Sequence, residues 1–118
     1  MLRFLALSEP QQQAVRAIQE KHRPAQQTLR RALDGRSLAL KQGVEDPALG
    51  ETQLRALQAA ESEARLQLVL EQRAEFLERH AILTKDQQAK AGRMRLALQK
   101  EREAHLAFQA EWEAPAPR

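Results

Sequence analysis

The chain has 118 residues, enough for one domain at most, and carries a net charge of +3. It has no cysteine, which excludes disulfides, thiolate metal sites and cysteine nucleophiles, and its four glycines form no phosphate-binding loop. Only 3% of residues are aromatic, while 21 are Ala and 18 are Leu, a composition that favours helix over sheet.

Residues 1–7 are short and apolar, and they lack the length and cleavage site of a signal peptide. A first helical arm is predicted from Ser8, a good N-cap followed by Glu9 and a tolerated Pro10. Its apolar stripe reads Val15, Ile18, His22, Ala25, Leu29, Leu33 and Leu40, close to helical spacing. Pro24 falls inside that stripe and removes one backbone hydrogen bond, so a kink or break is expected near residues 20–24. Gly43 and Glu45-Asp46-Pro47 should end this arm.

The second arm runs from Pro47 or Thr52 to His80, with Leu54, Leu57, Ala64, Leu68, Phe76 and Leu77 on a broad apolar face. The third starts at Thr84 and runs to Trp112. Its seam of Ala91, Met94, Leu98, His105, Phe108 and Trp112 is heptad-like, interrupted by Gln87 and Glu101. The expected fold is all-α: long antiparallel hairpins of about four helices in a single domain over residues 1–112, with a flexible Pro-containing tail at 113–118. A thin helical hairpin buries little surface, so a homodimer is the default expectation.

No apolar run approaches the length of a membrane span. No Ser-His-Asp set, carboxylate pair or cofactor fingerprint is supported by its context, so an enzyme is not expected. Residues 1–44 are basic and residues 45–82 acidic, a pattern that favours helix pairing. Without interleaved aromatics it makes a poor nucleic-acid surface, and no nucleic-acid partner is expected.

Six residues are Ser or Thr, and only two of them have Gln or Glu three positions on. These are Leu7-Ser8-Glu9-Pro10-Gln11 and Leu83-Thr84-Lys85-Asp86-Gln87, each a capping box in which the hydroxyl and the glutamine satisfy backbone groups reciprocally. Two copies opening the first and last arms of a small helical chain resemble the LTxxQ-motif proteins of the bacterial envelope. These include Spy/CpxP-like chaperones and CnrX-like and ZraP-like heavy-metal resistance proteins. The first copy departs from the pattern, with Ser8 in place of Thr.

The resemblance implies a cradle-shaped homodimer in the periplasm, with Leu7, Ser8, Gln11, Leu83, Thr84 and Gln87 as structural motif positions. It further implies either ATP-independent binding of unfolded clients, in an envelope-stress or heavy-metal resistance role, or a transition-metal sensor or buffer on the same scaffold, with unfolded client proteins or a membrane sensor protein as partner. Client binding would fall to Arg16, Arg23, Arg30 and Arg36, interleaved with Leu29, Leu33 and Leu40. A solvated arginine face paired with the acidic second arm is the plainer alternative.

No cofactor is required. A Zn, Cu, Ni or Co ion would need His22, His80 or His105 together with acids such as Glu20, Glu78 or Glu101. The paired histidines of CnrX-like sensors and the His-rich tail of ZraP-like proteins are both missing. Packed histidines are the simpler reading of His22 and His105, and a helix C-terminal role that of His80. A cytosolic helical adaptor remains as a third function.

Overall fold

The computed structural model describes residues 5–113. Three helices occupy them: α1 (Glu9–Val44), α2 (Glu51–Ala81) and α3 (Lys85–Glu113), and no strand is present among the described residues. The described residues divide into two compact units. One is the hairpin of α1 and α2, residues 9–82; the other joins the segment before α1 to α3.

The expectation of about four helices is corrected to three, because α1 runs unbroken through Pro24. A proline removes a single N–H from the helical ladder. Its ring here is exposed, while Ile18, His22 and Leu29 on either side are buried or half-buried. Side-chain packing along the hairpin therefore carries the helix past the missing bond.

The turn between α1 and α2 is tight. Glu45 and Asp46 donate their N–H groups to Gln42 and Gly43 carbonyls, both at 3.2 Å. Asp46 then accepts from the Ala48 N–H at 2.9 Å, an Asx turn that carries the chain around Pro47. Gly50 stands at the N-cap of α2, and its N–H donates to Gln53 Oε1 at 2.8 Å.

α1 packs along α2 with its predicted stripe inward, except at Ala25, which is exposed. Gln26 takes that level and donates to Glu75 Oε2 at 2.6 Å. At the turn end Gly43 is buried under α2 side chains, and an added Cβ there would lie 2.6 Å from Leu57 Cδ1. On α2, Leu68 is buried and Leu54, Leu57, Ala64 and Phe76 are half-buried, but Leu77 is exposed.

The predicted seam of α3 is buried only at its start. Ala91 is 2% exposed, whereas Phe108 and Trp112 are 62% and 81% exposed. The helix itself continues to Glu113, so only residues 114–118 of the expected tail remain, and they lie outside the described residues.

Candidate functional site

The second motif forms a complete capping box at the start of α3. The Gln87 N–H donates to Thr84 Oγ1 at 3.2 Å, and the Thr84 N–H donates to Gln87 Oε1 at 2.9 Å. The amide of the same glutamine is left with its Nε2 protons, and one reaches the Leu5 carbonyl at 3.3 Å. That carbonyl precedes a left-handed turn at Ala6, whose φ is 51°. Such a backbone is strained for any residue with a Cβ and persists only where its surroundings hold it.

The first motif does the converse within the hairpin. Ser8 sits immediately before α1, and Gln11 Nε2 donates to the Ile82 carbonyl at 3.1 Å. Ile82 is the C-cap residue of α2 and directly precedes Leu83 of the second motif. Each motif glutamine thus donates to a backbone carbonyl just upstream of the other motif. Leu7 and Leu83 are half-buried, as are both glutamines.

A polar cluster interrupts the apolar seam of the hairpin at His22, which is 8% exposed. Its Nδ1 faces Glu71 Oε1 in a very short contact, and its Nε2 lies 3.1 Å from Glu78 Oε1, off the axis of an aligned hydrogen bond. Lys21 Nζ donates to the same Glu78 oxygen at 2.9 Å. The Glu71 contact raises the His22 pKa above its ordinary 6.5, burial opposes it, and Glu78 adds to it. Lys21 in turn lowers the Glu78 carboxyl below its ordinary range, with His22 helping and burial opposing.

With carboxylates at both ring nitrogens, the doubly protonated ring is the form this geometry suits. Sequence reasoning missed Glu71 and Glu75 as partners of His22 and Gln26. The signal was present, since Glu71, Glu75 and Glu78 recur at steps of four and three on one face of α2.

The other histidines are far less enclosed. His80 is half-buried and stacks on Phe76 with ring centroids 5.7 Å apart, while His105 is exposed on α3. Among the described residues, no group of three or more His, Asp or Glu side chains converges as a metal site would require.

Arg16, Arg23, Arg30 and Arg36 are exposed, and Leu29, Leu33 and Leu40 are half-buried beside them. Arg23 pairs with Glu20 of its own helix at 2.7 Å. Across the hairpin, the only Lys or Arg bonded to an acid of α2 among the described residues is Lys21. Arg16, Arg30, Arg31 and Arg36 make no ion pair among the described residues, so the acidic second arm does not neutralise them. Arg16, Arg23 and Arg30 recur at seven-residue intervals along one edge of α1. Arg23 and Arg30 line a polar cleft there with Gln19, Gln26, Gln27 and Glu75.

A family model described as LTXXQ motif family protein matches residues 1–95, which include both motif copies. The chain belongs to the LTXXQ motif family. That family is in general one of periplasmic stress and metal-resistance proteins without enzymatic activity. Neither comparison with curated proteins nor comparison with solved structures gives a match. Among the described residues of this LTXXQ protein, no helix is long and apolar enough to cross a membrane.

Proposed function

We propose that this LTXXQ protein is a periplasmic stress protein that holds unfolded client chains without ATP, using the basic edge of α1. The observation that carries this reading is the set of exposed arginines left unpaired by the acidic helix packed against theirs. Their long stems offer apolar contact around a charged head, and Leu29, Leu33 and Leu40 supply apolar surface alongside. Near the turn, Leu40, Val44 and Leu54 line an open groove with Arg55, and Val44 is 68% exposed. Scattered, non-matching contacts of this kind bind many sequences weakly and release them readily. Metal sensing draws on the same family membership, but the described residues offer no convergent ligand set.

The test is light scattering of an aggregating client with this protein added and no ATP. Suppression near stoichiometric amounts is expected. The variant Arg16→Glu/Arg23→Glu/Arg30→Glu should need at least about fivefold more protein, each reversed charge weakening a steered contact. Equal suppression by the variant would overturn the assignment to α1. No suppression by the native chain would overturn client binding altogether.

A further inference from the structure

The basic edge of α1 is not made of arginine alone. It reads Gln12, Arg16, Gln19, Arg23, Gln26, Arg30, a strict alternation in steps of four, three, four, three and four. Gln19, Arg23, Gln26 and Arg30 line one cleft of about 300 Å³. Glu75 of α2 lines it too, but its carboxylate already accepts from Gln26 at 2.6 Å and lies 4.0 Å from Arg79 Nε. Arg23 pairs with Glu20 with both side chains more than half exposed, so a ligand carboxylate displaces that partner at little cost.

The two residue types suit different parts of a polypeptide. A glutamine amide carries two donors and an acceptor, the complement of a peptide group, so it pairs with client backbone whatever the client sequence. A guanidinium fork pairs with a carboxylate. Beyond Arg30 the same strip continues as Leu33, Ser37, Leu40 and Val44, in steps of three, four, three and four. Leu40 and Val44 line the open groove near the turn. An inorganic polyanion gains nothing from apolar surface, so the occupant that fits the whole strip is a polypeptide.

Spacing selects the form of that polypeptide. Side chains seven residues apart on a helix stand about 10.5 Å apart along its axis. A polyproline II chain has three residues per turn at about 3.1 Å each, so positions i, i+3 and i+6 share one edge about 9.3 Å apart. Long arginine and glutamate side chains span the remaining difference of about 1 Å per step. A β-strand repeats on one face at about 6.7 or 13.5 Å and matches neither. Polyproline II also leaves the backbone groups without internal partners, as pairing with the glutamines requires, and it is a major conformer of unfolded chains.

We infer that α1 takes up clients as polyproline II segments with an acidic side chain at every third position, one carboxylate to each of Arg16, Arg23 and Arg30. The inference rests on the client-binding reading and names the class of segment that the site prefers.

Synthetic peptides of about 11 residues, each with three glutamates and leucines at both ends, test it by titration calorimetry against the full chain. Glutamates at every third position should bind at least about fivefold more tightly than the same residues with glutamates at every second position or in one block. Proline between the glutamates should tighten binding further, because it sets the conformation in advance. Arg23→Gln/Arg30→Gln should abolish the preference for spacing, while Arg93→Gln/Lys100→Gln, which removes as much charge from α3, should keep it. Equal affinity for all spacings would mark a generic anionic surface and overturn the inference, leaving client binding intact if the native chain still suppresses aggregation. Weaker binding of the proline peptide would overturn the conformation, and a preference that survives in Arg23→Gln/Arg30→Gln would overturn the site.

Discussion

Replacing Gln87 separates the two tasks that its amide performs. Gln87→Ala removes the acceptor for the Thr84 N–H and the donor to the Leu5 carbonyl. Loss of the capping partner costs about 1 kcal/mol. The bond to Leu5 is long, at 3.3 Å, and contributes about 0.5–1 kcal/mol. The sum of about 1.5–2 kcal/mol lowers Tm by roughly 6–8 °C in a chain of this size. Gln87→Glu keeps an oxygen for the Thr84 N–H and adds a charge that the helix N-terminus favours by about 0.3–1 kcal/mol, but cannot donate to Leu5. Its Tm should therefore fall by no more than about 2 °C, from a loss within about 0.5 kcal/mol. Its N-terminal segment should nevertheless become easier to cleave after Leu5 or Leu7 by a protease selective for large apolar residues. Circular dichroism melts and timed proteolysis read the two effects separately. If the Glu variant melts as low as the Ala variant, the capping half contributes nothing and the division of roles is refuted.

Gly35 and Gly43 should respond oppositely to alanine. Nothing lies within 4 Å of a Cβ at Gly35, so Gly35→Ala gains helix propensity and stabilises by about 0.5–1 kcal/mol. At Gly43 the Cβ would meet Leu57 at 2.6 Å; overpacking of about 1–3 kcal/mol then outweighs that gain and urea midpoints should fall. Ala6→Gly should stabilise by about 1 kcal/mol by relieving the left-handed turn, measured the same way. The His22 cluster sets a pH window. With its pKa raised on folding, His22 contributes stability that is full below pH 6.5 and is lost as pH rises through the raised value. Glu78, with its pKa lowered, contributes above 4.5 and loses that contribution on acidification. Melting temperature should peak between those limits and decline as pH rises above the upper one through the raised His22 value, and His22→Gln should flatten that alkaline decline.

Periodicity made the three arms legible, because each has to bury one stripe against something else. The turn at Asp46-Pro47 and the second capping box were legible for a similar reason, since local backbone groups must find local partners. Pro24 misled because the penalty for a proline is local, while the packing that overrides it comes from α2. Ala25 and Leu77 misled because apolar residues at the margin of a stripe point either way until the partner helix is placed. Glu71 and Glu75 did not stand out among the acids of the second arm, because only the hairpin register puts them opposite His22 and Gln26. The destinations of Gln11 and Gln87 were out of reach, since a donor bonded 71 or 82 residues away leaves no local trace.

The proline in α1 has a consequence for how the hairpin breathes. Pro24 leaves the Glu20 carbonyl without its usual donor, so the ladder of α1 is thinnest between two well-formed stretches. Lys21, His22 and Gln26 anchor that same turn to Glu71, Glu75 and Glu78. Opening of the backbone there requires three side-chain attachments to let go together. Amides flanking Pro24 should thus exchange with solvent through the same event that parts the two helices, and not through an independent local fray.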